Sequence, residues 1–445
     1  MSHSLELSQI IRHLHEAWQT LPDTRKPNNN TQYTITDAAL SALAVFFMQA
    51  PSFLAQQRAV KKRKGRDNAR TLFQVEHIPS DNQIRNLLDP IAPVHFHAVY
   101  DWVHDQLQAT GELDRYRVFN ETYLIPLDGV TYFSSTRLHC AQCCQRKDAQ
   151  GTVHYYHSAI SPVLVRPGSN QVLPLPPEFI TPQDGREKQD CEREAAYRWL
   201  AQHNCRFAPH TVTYLGDDLY ANHPFCEKVA QTYQQYFVCV AKPESHAHLY
   251  SWITMLEKTE DLAQFERRVW NGQSGERWQY RWTTDVPLRA GPDSLQVTWF
   301  ELTITHEQTG EVLYHNAWVT NHVLTQETVA SLAQVGRARW KVENENHNTL
   351  KNHGYHLEHN FGHGHQYLST GLFTLNVLAF LLHTVQDFVN AAYRLVRQAL
   401  VARYTFFNDL RALTSYLIFE SWNTLWRFMI DGLELEIPPG LFPPD

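Results

Sequence analysis

Two stretches, TYLIPLDGV (Thr122–Val130) and HTVTYLGDD (His210–Asp218), decide the fold prediction, because each is a short apolar run that ends in an acid. Runs of this length and composition predict buried β-strands. Asp128 and Asp217 would then lie at the carboxyl ends of two strands, while the apolar residues before them enter the core. Considered singly, each Gly/Asp pair is also typical of a turn or a loop, so neither stretch identifies a site by itself.

The segments around these two strands predict further strands and helices. Tyr155–Val165 and Gln171–Leu175 flank a Pro-Gly-Ser-Asn turn and predict a hairpin, and Tyr236–Lys242 predicts another strand. Helical patterns lie between the strands. The order strand, hairpin, helix, strand, helix, strand predicts an α/β fold with a mixed sheet and flanking helices. It matches a ribonuclease-H-like core, in which the first and fourth strands carry acids at adjacent positions.

A third acid lies in RARWKVENENHNTLKN (Arg337–Asn352), which predicts a helix. At helical spacing Arg339, Glu343 and His347 share one face, whereas Glu345 lies about 200° away from Glu343, so only one of the two glutamates can point at a given site. An Arg-Glu surface pair is the common alternative at this spacing. Converging carboxylates suit Mg²⁺, and two such ions about 4 Å apart can stabilise the attacking and leaving oxygens at a phosphorus centre.

Composition limits the class of protein. The chain has 445 residues, a formal net charge of −7, 25 histidines and 7 cysteines, and 43% of its residues are hydrophobic. These values predict about three folded domains and no generally basic surface, because phosphate binding depends on Lys and Arg. The odd number of cysteines does not indicate a disulfide framework. The first residues lack a signal-peptide pattern, and the most apolar stretch, Gly371–Phe388, contains Asn376 and His383. We therefore expect a buried helix in a reduced, cytoplasmic protein.

The blocks LIPLDGV, TYLGDDLYA and RARWKVENENHNTLKN resemble, in this order, three blocks of bacterial insertion-sequence transposases of the DDE type. RW-x-[IV]-E is the most specific element, and its E-N-x-x-H form is similar to the H-repeat-associated transposase-like proteins. The resemblance spans residues 120–385, with 89 residues from Asp128 to Asp217 and 126 from Asp217 to Glu343. The longer gap has room for the β-rich insertion that one branch of the family carries.

The resemblance implies a ribonuclease-H-like catalytic domain in which Asp128, Asp217 and Glu343 hold two Mg²⁺ (or Mn²⁺) ions. Asp218 is the alternative at the second position and Glu345 at the third. The implied activity is metal-dependent DNA strand cleavage at the element ends, followed by strand transfer through the liberated 3′-hydroxyl.

A related signature, Y-x2-R-x3-E-x6-K, is matched only in part. Its Arg and Glu positions fit, but Gly336 occupies the Tyr position and Leu350 the Lys position. Arg337 and Lys351 are the nearest substitutes for the terminal-phosphate contacts that the signature implies. The predicted DNA contacts of this block are therefore Arg337, Arg339 and Lys351.

Cysteine and histidine concentrate between the first two predicted strands, where Cys-x2-Cys is followed by histidine at a spacing used by structural zinc sites. We predict a structural Zn²⁺ loop over residues 137–157, with ligands Cys140, Cys143, Cys144 and His157. His139 and His154 are alternatives for the fourth ligand, and a core position in a strand is the other interpretation of His157. Three histidines further along are predicted to be loop residues without a metal: His359, His363 and His365.

A strongly basic run lies in the N-terminal helical region. Residues 58–70 carry seven positive charges and one negative charge. The basic residues are Arg58, Lys61, Lys62, Arg63, Lys64, Arg66 and Arg70. A solvated helix face is the usual alternative, but a transposase would use such a helix to follow DNA phosphates.

Arginines and tryptophans also alternate within residues 252–318, a pattern that suits stacking on unpaired or flipped bases. The arginines are Arg267, Arg268, Arg277, Arg281 and Arg289. A small core is the alternative for most of these tryptophans, and we predict that Trp278 or Trp282 is an exposed base wedge.

The predicted domains follow from these motifs. They are residues 1–115, a helical DNA-binding or dimerisation region; 116–245, the first part of the catalytic core; 246–322, the β-rich insertion; 323–385, the second part of the core with the Glu343 helix; and 386–445, C-terminal helices and an acidic tail.

The predicted protein is a nucleoid-associated transposase that acts, as a homodimer and away from membranes, on double-stranded DNA (terminal inverted repeats and target DNA). A transposase-derived protein that binds DNA without catalysis, and a ribonuclease-H-like nuclease that cuts without joining, are the alternatives.

Overall fold

The computed structural model describes residues 5–26, 32–182 and 192–442. The first four residues of the predicted N-terminal region and the last three of the predicted acidic tail lie outside these ranges. Helices and a large mixed sheet make up the described chain, which confirms the predicted α/β class.

The N-terminal region consists of helices that pack around one buried helix. They are α1 (Leu7–Trp18), α2 (Ile35–Phe47), α3 (Phe53–Val60), α4 (Arg63–Phe73), α5 (Asp81–Leu88) and α6 (His97–Ala109). Helix α2 is buried along its whole length because it is almost entirely apolar, and it begins at a capping box between Thr34 and Asp37. The Asp37 carboxylate also accepts a 2.9 Å hydrogen bond from the Glu76 backbone, which joins α2 to the segment after α4.

The strands form one large sheet and two smaller ones. They are β1 (Tyr123–Pro126), β2 (Gly129–Ser135), β3 (Cys144–Lys147), β4 (Val153–Ile160), β5 (Val163–Leu164), β6 (Leu173–Pro174), β7 (Glu178–Ile180), β8 (Val212–Gly216), β9 (Tyr236–Val240), β10 (Ala263–Trp270), β11 (Gly275–Pro287), β12 (Gln296–His306) and β13 (Val312–Thr320). The large sheet has the order β1-β8-β9-β13-β12-β11-β10. Strands β1, β8 and β9 run parallel, so the residues that follow β1 and β8 emerge at the same edge.

The second sheet begins directly after the first strand of the large sheet. Its order is β2-β4-β3, with β7 paired to β4. Strands β5 and β6 form the predicted antiparallel hairpin. Four helices connect the strands or follow the last of them: α7 (Glu192–His203), α8 (His223–Glu227), α9 (Ala247–Lys258) and α10 (Val329–Arg337).

The β-rich stretch of residues 246–322 extends the large sheet and does not form a sheet of its own. Strand β13 pairs antiparallel with β9, with Trp318 opposite Val240. Trp299 and Trp318 are buried in this extension. Pairing with β13 satisfies the backbone groups of β9, which would otherwise be a sheet edge.

The C-terminal region is helical and packs against the N-terminal region. Its helices are α11 (Asn348–Asn352), α12 (Leu368–Val389), α13 (Ala391–Ala399), α14 (Arg403–Tyr416) and α15 (Trp422–Gly432). The Asn68 side chain on α4 donates to the Thr414 and Leu417 carbonyl oxygens, each at 2.7 Å. The terminal regions thus share one interface although the chain separates them.

Helix α12 contains the most apolar stretch of the sequence. Among the described residues it is the one helix long and apolar enough to cross a membrane, and 94% of its apolar window is buried inside the protein. The predicted buried helix is therefore confirmed.

Candidate functional site

The structure brings the two strand-end acids to one edge of the large sheet. Leu127 donates its backbone N–H to the Leu215 carbonyl at 2.9 Å, which continues the parallel pairing of β1 with β8. Asp128 follows Leu127 directly and Asp217 lies two residues after Leu215, and both acids are partly buried. The strand ends thus lie where the sequence pattern predicted them.

Glu343 reaches the same edge from a separate element. It lies in a widened helical turn, Val342–His347, which follows a tight turn that contains Arg339. Widened turns of this kind occur often at functional sites. The Arg339 guanidinium is 6% exposed and contacts the Glu343 carboxylate at 2.9 Å, and His347 Nδ1 lies 3.7 Å from an Asp128 carboxylate oxygen. The predicted shared face of Arg339, Glu343 and His347 is therefore turned toward Asp128.

The negative charges of three other carboxylates act on Asp128. Burial, together with the negative charges of Glu192, Glu343 and Asp217, raises the pKa of Asp128 to about 7, whereas Arg339 opposes the rise. Half-buried carboxylates that repel one another favour a bound cation, because a cation offsets the repulsion. Carboxylate oxygens are the type of ligand that Mg²⁺ and Mn²⁺ prefer.

Glu192, at the start of α7, is a fourth acid of the cluster that the sequence patterns did not indicate. Its side chain accepts a 2.9 Å hydrogen bond from the Tyr220 hydroxyl and one from the Gly129 backbone. Burial raises the pKa of Glu192, although the Tyr220 hydrogen bond opposes this. An acid in the first turn of a helix is ordinary, so no local signal distinguishes this one. A Cβ at Gly129 would lie 2.4 Å from a Glu192 carboxylate oxygen, so a glycine is needed for this approach.

The two alternative acids have different surroundings. The Asp218 carboxylate accepts hydrogen bonds from the Lys242 backbone at 2.8 Å and from the Ser245 hydroxyl at 2.7 Å, so it holds the segment after β9. Glu345 and Glu343 are both partly exposed, but Glu343 is one of the charges that act on Asp128. These contacts favour Asp217 and Glu343 as the members of the acidic cluster.

The predicted zinc loop contains a compact cluster of four side chains. The ligand atoms of Cys140, Cys143, His157 and His363 all lie within 4.8 Å of one another, so the cluster could hold a metal ion. The structure brings together three of the predicted ligands, Cys140, Cys143 and His157, and the fourth member of the group is not Cys144 but His363. Its place next to His157 results from tertiary packing across 206 residues of chain.

The other predicted fourth ligands are engaged elsewhere. The Cys144 thiol donates to the Ile180 carbonyl oxygen at 3.7 Å, because neighbouring residues in β3 point to opposite faces of the sheet. His154 contacts Asp148 at 2.9 Å, and the His139 ring stacks on Tyr155 at 4.5 Å.

The basic run lies on α3, α4 and the turn between them. All seven basic side chains are exposed: Arg58, Lys61, Lys62, Arg63, Lys64, Arg66 and Arg70. The opposite face of α4 is buried and includes Gly65, where a Cβ would lie 2.1 Å from the Ala59 carbonyl oxygen. Helix α4 therefore packs through its buried face and exposes a basic face to solvent.

The three predicted DNA contacts near Glu343 have protein partners. Arg339 is buried against Glu343, which contradicts its prediction as a DNA contact. Lys351 Nζ lies 2.8 Å from a Glu358 carboxylate oxygen, and the Arg337 guanidinium lies 4.8 Å from the Tyr314 ring centroid. Gly336, at the Tyr position of the related signature, packs so closely on Trp318 that a Cβ would lie 2.7 Å from the ring.

The arginines of residues 252–318 have acidic or aromatic neighbours, so the prediction of arginines free to contact DNA is not supported. Four form ion pairs: Arg268 with Glu307, Arg277 with Glu266, Arg281 with Glu257 and Glu301, and Arg289 with Asp293.

The two tryptophans predicted as the base wedge both have close neighbours in the protein. Trp282 is buried, and the Trp278 ring is covered by Arg267 and Arg337 at 5.0 and 5.3 Å. The most exposed indole of the described chain is Trp270, at 70%.

Comparisons with known proteins give little further guidance. The sequence matches no protein-family model and no curated protein. Among solved structures, the chain is similar to a piggyBac transposase in its synaptic complex with hairpin DNA, determined by cryo-electron microscopy. The identity is 7% and the TM-score 0.41, over 99% of this chain and 84% of the other. A likeness this weak does not by itself establish a shared fold or activity.

Proposed function

We propose that this protein is a DNA transposase of the DDE type, which cleaves DNA strands at the ends of an insertion sequence and joins them to target DNA. The observation that carries the proposal is the convergence of Asp128, Asp217 and Glu343 from three separate elements at one sheet edge. The parallel order of β1, β8 and β9 is consistent with a ribonuclease-H-like core.

The acidic cluster would hold two Mg²⁺ (or Mn²⁺) ions through Asp128, Asp217 and Glu343. When bound, the ions stabilise the attacking and leaving oxygens of a phosphodiester. Arg339 contacts Glu343 at 2.9 Å and keeps that carboxylate oriented toward the cluster. Asp128, whose pKa is about 7, must lose its proton to ionise fully, so its ionisation and cation binding support each other.

The reaction needs no covalent protein intermediate. Water attacks the phosphodiester at the element end, the P–O3′ bond breaks, and a 3′-hydroxyl and a 5′-phosphate remain. The 3′-hydroxyl then attacks a phosphodiester of the target strand, whose own 3′-oxygen leaves. The protein positions the two DNA segments in line with each other.

The basic face of α3 and α4 would bind the DNA backbone. Seven exposed positive charges there suit phosphate contacts, although the chain as a whole carries a net charge of −7. Both element ends must be held together for joining, so we expect a homodimer on DNA. Replacing Lys62 and Arg66 with alanine should weaken binding uniformly across sequences and reduce the salt dependence by about two phosphate contacts.

The direct test is incubation of the full-length protein with Mg²⁺ and a plasmid that carries the DNA flanking its coding region. Joined products support a transposase, cleavage without joining indicates a nuclease, and retardation without cleavage indicates a non-catalytic DNA-binding protein. Inverted repeats found in the flanking DNA would identify the sequence to use as the substrate.

A matched pair of variants tests the assignment of the third acid. Glu343→Gln should abolish cleavage and spare DNA binding, whereas Glu345→Gln, two residues away, should cleave at nearly the wild-type rate. The opposite pattern would assign Glu345 to the site and remove Glu343 from it.

A further inference from the structure

The Cys-His cluster lies at the far end of the strand that Asp128 precedes. Strand β2 begins at Gly129, the residue after Asp128, and the chain continues from its end to Cys140 and Cys143. His157 is buried in β4, which pairs with β2, and His363 belongs to the segment before α12. Four side chains from three segments therefore meet at one point.

The spacing of the four ligand atoms is that of a tetrahedral site. Tetrahedral zinc with bonds of about 2.3 Å to sulfur and about 2.0–2.1 Å to nitrogen separates two sulfurs by about 3.8 Å, sulfur and nitrogen by about 3.6 Å, and two nitrogens by about 3.3 Å. The Cys140 and Cys143 sulfurs are 3.8 Å apart, and the His157 and His363 Nε2 atoms are 3.2 Å apart. Three of the four sulfur–nitrogen distances run from 3.3 to 3.6 Å.

The tautomer of His363 is suited to metal binding. Its Nδ1 lies 3.0 Å from the Gly364 carbonyl oxygen, so Nδ1 carries the proton and Nε2 presents a lone pair to the cluster. Most histidines that bind a metal through one ring nitrogen donate a hydrogen bond from the other ring nitrogen in this way.

We propose that Cys140, Cys143, His157 and His363 bind one structural zinc ion that joins the second sheet to the segment before α12. Two sulfur and two nitrogen ligands in a tetrahedral arrangement favour zinc. All four positions are protein side chains, and Cys143 and His157 are buried, so the site is closed as structural zinc sites are.

The position of this site gives it a defined structural role. The segment with His363 follows the Glu343 turn, and β2 follows Asp128 directly. The zinc would therefore join the strand next to one acid to the segment that follows another. The inference does not depend on the proposed DNA chemistry, because it rests on the four ligand atoms alone.

The test measures metal in the purified full-length protein by mass spectrometry after expression with added zinc. We expect about one zinc per chain. Cys143→Ser and His363→Ala should lower the zinc content at least about tenfold. Two matched controls, Cys144→Ser and His365→Ala, alter the neighbouring cysteine and a nearby histidine and should retain zinc.

A second measurement uses only the wild-type protein, so it does not depend on whether the variants fold. Cobalt added to the reduced, metal-free wild-type protein should produce the visible bands of tetrahedral cobalt with two thiolate ligands, and zinc should displace them. The proposal is overturned if the wild type neither contains nor takes up zinc, or if it contains iron instead. It is equally overturned if Cys140 and Cys143 form a disulfide, or if zinc is lost in Cys144→Ser and kept in His363→Ala.

Discussion

The acidic cluster and the Cys-His cluster flank the same strand, but they differ in charge and in geometry. At one end of β2, Asp128 lies among like charges and its pKa is raised to about 7. At the other end, two thiols and two ring nitrogens converge on one point with tetrahedral spacing. The first arrangement destabilises the metal-free fold and suits reactive chemistry, whereas the second stabilises the fold once a metal is bound. If both clusters bind metal as proposed, the two ions would have different roles.

The largest expected effect is the loss of chemistry at the acidic end. Asp128→Asn removes one carboxylate ligand and should lower the cleavage rate about 1,000-fold or more, which corresponds to several kcal/mol of transition-state stabilisation. The same variant should unfold no more easily than the wild type, because it removes a charge that its neighbours repel. Cleavage assays and thermal melts on one preparation check both outcomes. A variant that keeps full activity would remove Asp128 from the site.

Removal of zinc and removal of Mg²⁺ should have different effects on the free energy of unfolding of the protein. Stripping zinc from the Cys-His cluster should lower the free energy of unfolding by several kcal/mol, because the metal is bound only in the folded state. Omission of Mg²⁺ should change it by about 1 kcal/mol or less at concentrations near the dissociation constant. Denaturant titrations of the zinc-loaded, zinc-stripped and Mg²⁺-free proteins measure the difference. Equal effects of the two metals would contradict the distinction.

The pH dependence of stability should reveal the repulsion at Asp128. A carboxyl whose pKa is raised in the folded state stabilises the protein at low pH, and this contribution is lost as pH rises from about 4 to about 7. Without Mg²⁺, the unfolding free energy of the wild type relative to Asp128→Asn should therefore fall across this window, by at most about 4 kcal/mol. The comparison with Asp128→Asn cancels the titration of buried histidines. A flat difference between the two proteins would contradict the raised pKa.

The smallest expected effect tests Glu192 as a member of the acidic cluster. Gly129→Ala places a methyl group where the Glu192 carboxylate lies, and the flexible side chain must move away. The stability should change by less than about 1 kcal/mol. The cleavage rate should fall about tenfold, because ligand geometry near Asp128 is disturbed.

Gly432→Ala is the control for this substitution. A Cβ at Gly432 has no described heavy atom within 4 Å, so cleavage should be unchanged. Wild-type cleavage by Gly129→Ala would show that the position of Glu192 does not matter for the reaction.

The predictions from sequence succeeded where a local pattern carries the information. Apolar runs that end in an acid predicted β1 and β8, and their parallel pairing follows from the intervening helix. Helical spacing predicted the contact between Arg339 and Glu343. Cys-x2-Cys predicted two members of the metal cluster. Each of these patterns spans only a few residues, so the local backbone conformation largely sets the positions of the side chains.

The sequence did not predict partners that lie far apart along the chain. His363 joins the Cys-His cluster across 206 residues from His157. Glu192 meets Asp128 because Gly129 leaves room for its side chain. The arginines of the β-rich stretch turn to acids of neighbouring strands, and cross-strand neighbours depend on register. The periodicity of the sequence gives no information about contacts between residues so far apart along the chain.

The sequence by itself thus determined the α/β class, the strand ends that carry Asp128 and Asp217, the exposed basic helix and the buried apolar helix. Tertiary structure alone decided that the β-rich stretch extends the large sheet, that His363 replaces Cys144, and that Glu192 stands beside Asp128. The physical reason is the range of the interactions. Local propensity and hydrophobic period act within one element, whereas sites form where packing brings distant elements together.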